Sequence, residues 1–391
     1  MKSQSAGTPR AMRSLNEALI LDKIITGGPQ SRADLSRQIG LSKPTVSSAI
    51  AHLIGRGLVR ETGRGDNTQG RKATLLEFNT KCFYVIGVDL GATRIRIALA
   101  DMGGQICHYK QLAVPKDSMA DMEFEALLVQ GIAELLEESG VAWENIKAGA
   151  VGIPGIVDPA SGEVSQLVTP LKGLENTLSR TSLARLFPVP VMTENDVNLA
   201  ALAEHSSSGE TGSSSLLYFS IGEGTGGGII LGGQIFRGLG GGAGELADMK
   251  LGGERLEDVL SASGLLRLAS RMAGEQGVDQ HHLPAEFSGS PETLFEAVRS
   301  GDSWAQSVIE AYCARLAEAL TTICAVLAPE TIILGGGLGG NGDVLLHRLE
   351  SGISGLNRKP RLLVSRHREK DVVLGAIQIA AQAAFRHIRE A

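Results

Sequence analysis

Three short glycine-rich turns, each preceded by an apolar run of strand type, place the strongest limits on what this chain can fold into. They are DLGATRIRIALAD at 89–101, the turn in FSIGEGTGGGIILGG at 219–233, and TIILGGGLGG at 331–340. Glycine lets the backbone approach a phosphate closely, turn amides can hold phosphate oxygens, and a carboxylate can bind the accompanying metal ion. For the first turn, the alternative is a plain hairpin. The candidate phosphate- or nucleotide-binding residues are Asp89, Gly91, Thr93, Gly224, Thr225, Gly226, Gly336 and Gly337.

The first part of the chain carries start and stop signals for three helices. The stretch MRSLNEALILDKIITG has leucine or isoleucine near helical spacing, at positions 15, 19, 21 and 25, and ends at two glycines. Ser31 and Asp34 form a capping-box pattern for the second helix. Ser42 begins the third helix, with Pro44 in its first turn, where a missing N–H does no harm. The second and third helices, joined by a GLS turn, predict a helix-turn-helix unit whose second helix reads DNA.

The third predicted helix, about 43–55, has a core face and a polar face. Val46, Ile50 and Leu53 can face the core, and short hydroxyl and basic side chains fall mostly elsewhere. Such side chains suit contacts to phosphates and to base edges. The candidate DNA-binding residues here are Ser42, Lys43, Thr45, Ser47, Ser48 and His52.

Two strand-like runs, LVRET and ATLLEFN, flank the basic stretch GRGDNTQGRK, and this arrangement predicts a wing. Arg64, Arg71 and Lys72 are its candidate contacts to a phosphate or a minor groove. Residues 1–80 hold 12 Lys+Arg and 6 Asp+Glu, a balance of +6, whereas the whole chain carries −6. A basic head on an acidic body favours double-stranded DNA as the partner of the head. A three-helix domain for protein contacts is the alternative.

Signals for membranes and secretion are missing from the sequence pattern. No apolar run approaches 18 residues, and the first 20 residues have no apolar segment that ends in a cleavage site. The four cysteines form no CxxC pair, which favours buried free thiols in a reducing compartment. We therefore expect a cytoplasmic protein with no membrane partner. The cysteines are Cys82, Cys107, Cys313 and Cys324.

The stretch VPVMTENDVNLAALAEH, residues 189–205, places an acidic residue where a predicted strand ends and a helix begins. A carboxylate at Asp196 can accept the proton of a hydroxyl as a general base. An ordinary helix N-cap at Asp196 explains the same pattern equally well. Both interpretations stay open.

Together these motifs resemble the ROK family (repressors, open reading frames and kinases), in its repressor branch. The resemblance covers nearly the whole length and is carried by DLGATRIRIA, GAVGIPGIVD, TENDVNLAALAE, GTGGGIILGGQIFRGLGGGAGEL and IILGGGL, after the winged helix that ends in GRKATLLEFN. It implies an α/β fold: an N-terminal winged helix-turn-helix domain, then a two-lobed actin-like ATPase (RNase H-like) body. The implied domains are 1–80 for the winged helix, 81–198 plus 372–391 for the first lobe and 199–371 for the second lobe.

The resemblance also implies roles for residues of the body. Asn195 and Asp196 match the pair that grips sugar hydroxyls, and in kinases Asp196 would be the catalytic base. Glu245 matches a sugar-contacting glutamate, Glu257 matches the glutamate after the family's cysteine cluster, and Gly155 lies where the substrate loop passes. The implied sugar-binding residues are Gly155, Asn195, Asp196, Glu245, Asp248 and Glu257.

Two departures from the family pattern concern a metal. Asp248 stands where the family usually has a histidine that binds zinc, and the cluster of three cysteines is missing. A structural zinc needs three or four such ligands, so we predict no metal and a site tip held by packing instead. A carboxylate at 248 also predicts that a neutral or amino sugar is preferred to a sugar phosphate.

Two functions of different classes follow. In the first, a sugar closes the cleft between the lobes and changes the geometry of paired heads, which makes the chain a sugar-responsive transcriptional regulator, and a repressor. It needs no cofactor, and it works as a homo-dimer or tetramer. In the second, the chain is an ATP-dependent sugar kinase that uses ATP–Mg and also binds DNA. We favour the first. A body without any ligand is disfavoured, because buried polar groups without partners are costly.

Overall fold

The head of the protein consists of three helices and a small antiparallel sheet. The computed structural model describes residues 8–64, 74–115, 120–207, 213–275 and 289–390. The Asp34 N–H donates to Ser31 Oγ at 3.2 Å and the Ser31 N–H donates to Asp34 Oδ2 at 3.3 Å, which is a complete capping box. The helix-turn-helix and the strand pair that follows it are confirmed. Its elements are α1 (Pro9–Gly27), β1 (Gln30–Ser31), α2 (Arg32–Ile39), α3 (Lys43–Gly55), β2 (Val59–Arg64) and β3 (Thr74–Phe78).

The first lobe of the body contains a five-stranded sheet in the order β10-β7-β4-β5-β6. Strands β4 and β5 form an antiparallel hairpin, and β7 and β10 add to it in parallel. The elements of this part are β4 (Tyr84–Leu90), β5 (Arg94–Asp101), β6 (Ile106–Ala113), α4 (Asp121–Ser139), β7 (Ile146–Ile153), β8 (Ile156–Val157), β9 (Val164–Ser165), α5 (Arg180–Leu186), β10 (Val191–Asn195) and α6 (Asp196–Ser207).

The second lobe repeats this plan with the sheet order β13-β12-β11-β16-β17. Again an antiparallel hairpin, β11–β12, is extended by two parallel strands. The elements are β11 (Ser215–Ile221), β12 (Thr225–Leu231), β13 (Gln234–Ile235), β14 (Lys250–Leu251), β15 (Glu254–Arg255), α7 (Leu256–Leu260), α8 (Ala262–Glu275), α9 (Pro291–Ser300), α10 (Ser303–Leu327), β16 (Thr331–Gly335), α11 (Gly336–Gly339), α12 (Gly342–Gly352) and β17 (Arg361–Val364). The chain then returns to the first sheet with α13 (Asp371–Glu390).

Helices α6 and α13 cross between the two lobes. Helix α13 packs on β4 and β7 of the first sheet, whereas α6 packs on β11 and β12 of the second sheet. The crossing is close, because a Cβ added at Gly375 would lie 2.0 Å from the carbonyl oxygen of Leu199. The lobe boundary expected between residues 198 and 199 lies inside α6, so this helix is part of the connection between the lobes.

The far end of α13 reaches the head. The rings of Phe78 and Phe385 lie 5.3 Å apart, and Arg56 Nη2 donates to the carbonyl oxygen of Ile388 at 3.3 Å. Arg389 forms an ion pair with Asp22 of α1. One hydrophobic cluster therefore contains the core of the head and the buried face of α13.

The cysteines differ in their exposure. Cys313 and Cys324 are buried in α10 and Cys82 is half-buried, whereas Cys107 is exposed. The expectation of buried thiols was wrong for Cys107, because β6 is the edge strand of its sheet and alternate residues of a strand face outward. Across the ranges described, none of the helices combines the length and the apolar character that a bilayer crossing requires.

Candidate functional sites

The reading helix α3 keeps most of its candidate DNA-binding residues on the surface. Val46, Ile50 and Leu53 are buried as expected. Ser42 instead caps the helix, since the Thr45 N–H donates to its Oγ at 3.3 Å and the Ser42 and Thr45 hydroxyls lie 2.8 Å apart. Ser42 is exposed although it caps the helix, and the other exposed candidates are Lys43, Ser47, Ser48 and His52.

Two features next to the reading helix were not predicted from the sequence: an ion-pair partner for His52 and a cavity. His52 Nδ1 lies 2.9 Å from Glu17 Oε2, so the imidazole is held toward α1. Ser48 and His52 also line a cavity of about 400 Å³ between α1, α3 and the end of α13. Of the wing candidates, Arg64 is the last residue of β2, and Arg71 and Lys72 lie outside the described residues.

The carboxylate of the first glycine turn is buried and already paired. Asp89 is 4% exposed and lies opposite Arg96 in the β4–β5 hairpin. Arg96 Nη1 donates to Asp89 Oδ2 at 2.9 Å. Burial raises the pKa of Asp89 to about 6, and the Arg96 charge opposes that rise.

At the start of α6, the cap and the free carboxylate are two different residues. Asn195 Oδ1 accepts the Asn198 N–H at 2.9 Å, and Asn195 Nδ2 donates to the carbonyl oxygen of Gly155 at 3.1 Å. Asn195 is therefore the N-cap and also fixes the Gly155 turn. The Asp196 carboxylate accepts only the neighbouring Val197 N–H among the contacts described, at 2.9 Å. This division favours a ligand-facing role for Asp196 over the N-cap interpretation.

Several carboxylates surround Asp196. Burial raises the pKa of Asp196 to about 8, and the charges of Asp89, Asp371 and Glu245 act in the same direction. Sequence reasoning missed Asp371, which begins α13 and accepts the buried Tyr218 hydroxyl. Its only sequence signal is an acid directly before the long apolar-periodic stretch VVLGAIQIAAQAAF.

The remaining candidate sugar residues, Glu245, Asp248 and Glu257, belong to the second lobe, and the last two share one arginine. Arg255 Nη2 donates to Asp248 Oδ1 at 2.9 Å and to Glu257 Oε2 at 3.4 Å. Burial raises the pKa of Glu245, and the charges of Asp248 and Glu257 add to that rise. The segment around Asp248, which we expected to be held by packing, is also held by the ion pairs of Arg255 with Asp248 and Glu257. In the part of the chain that is described, no group of three His, Cys, Asp or Glu is placed to hold a metal ion.

The glycines of the second and third turns are explained in large part by packing. A Cβ at Gly226 would lie 3.2 Å from Val197 Cγ2, and one at Gly224 would lie 3.0 Å from Glu257 Oε1. Gly336 has a φ of 75°, and its Cβ would lie 2.4 Å from the Ile221 carbonyl oxygen. Gly336 therefore needs glycine whether or not a phosphate binds there, Gly224 and Gly226 are in tight contact with side chains only, and a Cβ at Gly337 would meet nothing within 4 Å. Thr225 Oγ1 is buried and has no partner within the described residues, so it can bond to a ligand.

The head and the body together define a class: a winged helix-turn-helix protein whose body has the two-lobed actin-like fold of sugar kinases. The ROK family model matches residues 85–383, and the chain belongs to the ROK family. A MarR family model matches residues 13–71, within the head. The resemblance found in the sequence motifs is therefore confirmed.

Relatives and solved structures agree with this assignment. The chain is 28% identical to the xylose repressor of Caldicellulosiruptor bescii, over 95% of this chain and 96% of that protein. It is 28% identical to the DNA-binding transcriptional dual regulator NagC of Escherichia coli, over 89% and 86% of the two chains. The fold is similar to that of a ROK family transcriptional regulator, a homolog of the Escherichia coli Mlc protein, with a TM-score of 0.77, 24% identity, and coverage of 97% and 98%.

Proposed function

We propose that the chain is a sugar-responsive transcriptional repressor that binds a DNA operator through α3 and a carbohydrate in the cleft between the lobes. The observation that carries the proposal is the path of α13. Its first residue, Asp371, shares the electrostatic environment of Asp196, and its last turn contacts the head through Ile388 and Arg389. A ligand that changes the packing of α13 in the cleft therefore acts on a helix that touches the DNA-reading domain.

The candidate sugar residues form a connected set that supports this proposal. Asn195 holds Gly155, Asp196 follows Asn195 in the chain, and the charge of Glu245 acts on Asp196. Asp248 and Glu257 act in turn on Glu245. Carboxylates and amides are suited to hydroxyl-rich ligands, because each oxygen accepts a hydrogen bond that a hydroxyl donates.

The proposed regulator needs neither a metal nor a nucleotide, and it works in the cytoplasm as a homo-dimer or tetramer on a near-palindromic site. The lobes remain proposed as 81–198 plus 372–391 and 199–371, after a winged helix at 1–80. The xylose repressor relative suggests a pentose as the first effector to test.

The test is binding of a duplex, selected from random sequence by the full chain, measured by fluorescence anisotropy with and without a panel of sugars. We expect one neutral or amino sugar to change the affinity for DNA at least tenfold. DNA binding that no sugar alters contradicts the proposal. The alternative is a sugar kinase, and the observation that favours it is the pKa of Asp196 at about 8, near the range that a general base needs. ATP turnover that depends on a sugar and is abolished by Asp196→Asn would support this alternative.

Lys43→Ala is expected to weaken operator binding and to lower the slope of log affinity against log salt by about 1, because the exposed ammonium at the start of α3 is placed to neutralise one phosphate. The measurement is anisotropy at a series of salt concentrations. Lys172→Ala removes an exposed lysine from the body and serves as the matched control, with no change expected. Equal salt slopes for all three proteins would show that Lys43 does not contact DNA.

A further inference from the structure

The guanidinium of Arg96 occupies a position next to the buried carboxylate of the first glycine turn. Asp89 and Arg96 are direct cross-strand partners in the β4–β5 hairpin, so their side chains are on the same face of the sheet. Their side chains are 5% and 16% exposed, and Arg96 Nη1 lies 2.9 Å from Asp89 Oδ2. This pair is a property of the hairpin itself and needs no ligand to form.

Arg96 also reaches a second carboxylate. Its Nη2 lies 3.6 Å from Glu369 Oε2, in the turn directly before α13. The neighbouring Arg94 lies 3.7 Å from the same Glu369 and is half exposed, and no contact to Asp89 is described for it. The guanidinium of Arg96 thus joins the first turn to the segment that leads into α13.

A divalent cation and this guanidinium compete for the same carboxylate. Magnesium in phosphate sites is held by one or two carboxylates together with the phosphates and several waters, in a strict octahedral geometry. Arginine stays charged at all relevant pH values and cannot release Asp89 by losing a proton. To bind magnesium through Asp89 Oδ2, the protein would have to move Arg96 away, which breaks a mostly buried ion pair and leaves the guanidinium with only its longer contact to the exposed Glu369.

The residues of the first turn therefore do not fit a magnesium–nucleotide complex. We propose that Arg96 replaces the divalent cation as the counter-charge of Asp89, so that the cleft of this chain takes its effector without magnesium or nucleotide. The inference deepens the proposed function, because it assigns the cleft to the sugar alone. Gly336, whose Cβ would clash with the backbone of Ile221, is then explained by packing alone.

The test is binding of Mn²⁺, a paramagnetic substitute for Mg²⁺, measured by electron paramagnetic resonance with the full chain in the presence of AMP-PNP. For the wild type we expect no binding that depends on Asp89, so Asp89→Asn leaves the titration unchanged. Arg96→Ala frees the carboxylate and is expected to tighten Mn²⁺ binding at least tenfold. The double variant Asp89→Asn/Arg96→Ala should return to the wild-type affinity, which places the gained site at Asp89.

Arg94→Ala is the matched control: it removes an arginine two residues away on the same strand and should change nothing. Two results overturn the inference. In the first, the wild type binds Mn²⁺·AMP-PNP and Asp89→Asn weakens this binding tenfold. In the second, Arg96→Ala folds but gains no affinity for Mn²⁺. If Arg96→Ala does not fold, the comparison of the wild type with Asp89→Asn decides alone. The sugar response of DNA binding is measured on the same wild-type preparation. Its absence contradicts the proposed function, whereas nucleotide binding beside an intact sugar response contradicts only this inference.

Discussion

Gly375→Ala is expected to destabilise the protein by about 3 kcal/mol, because the added Cβ would lie 2.0 Å from the Leu199 carbonyl oxygen and 2.5 Å from its carbon. These are backbone atoms of α6, which cannot move away without shifting the whole helix. Asp196 and Asp371 begin the two crossing helices, so the change should also disturb the cleft. Urea unfolding followed by circular dichroism measures the loss of stability.

The control for this variant is Gly274→Ala. Gly274 lies in α8, is exposed, and has no atom within 4 Å of the position a Cβ would take. Alanine is the better helix former, so this variant should be unchanged or more stable by up to about 1 kcal/mol. Equal unfolding midpoints for the two variants would mean that α6 and α13 do not cross closely at Gly375.

Asp196→Asn is expected to remove a pH dependence of stability. The pKa of Asp196 is raised from 3.8 to about 8, first by burial and then by the charge of Asp89. Between these two pH values the folded protein holds a proton that the unfolded chain releases, so folding stability falls as pH rises from about 4 to about 8. Asparagine binds no proton in this range and keeps the Oδ1 acceptor for the Val197 N–H.

The stability of the asparagine variant relative to the wild type should therefore increase by on the order of 2 kcal/mol between pH 5 and pH 8. Part of the Asp196 surface is open to solvent, which keeps the value below the full linkage limit. Urea unfolding at four pH values measures it. Asp158→Asn is the control, since backbone hydrogen bonds from Ser161 and Ala160 lower the pKa of this half-buried carboxyl. It should show no gain toward pH 8. Parallel stability curves for Asp196→Asn and the wild type would contradict the raised pKa.

Features that depend on a few adjacent residues could be predicted from the sequence. The capping box at Ser31 and Asp34, the reading helix, the glycine turns and the strand-to-helix step at Asn195–Asp196 all form where the local pattern placed them. In each case the partner atoms lie within four residues of one another. Local geometry therefore determines them without knowledge of the rest of the fold.

Features that depend on distant partners could not be predicted in this way. The contact of Asp371 with Tyr218 joins residues 153 positions apart, and the contact of Arg56 with Ile388 joins residues 332 positions apart. Within α1, spacing selected positions 15, 19, 21 and 25. Leu21 is buried, but Leu15 and Leu19 are 60% and 47% exposed, whereas Ile20 and Ile24, which spacing did not select, are buried. Spacing gives a helix its period, but the neighbouring elements decide which face is covered.

The pairing of Asp89 with Arg96 lies between these cases. The two residues are seven apart and oppose each other only because the hairpin closes at Gly91, whose N–H donates to the Arg94 carbonyl oxygen at 2.9 Å. A reading based on the aspartate and the glycines alone gives a metal–phosphate turn. Counting the register across the turn adds the arginine and changes the chemistry expected there.

The last helix has a mechanical consequence that follows from its length. The twenty residues of α13 form a helix about 30 Å long, and a helix of this length moves nearly as a rigid rod. Turning it by about 5° around its first residue sweeps its far end through roughly 2.5 Å, a distance comparable to a hydrogen bond. A change in the tilt of α13 that begins beside Asp371 therefore produces its largest displacement at the far end, where Phe385 and Arg389 contact the head.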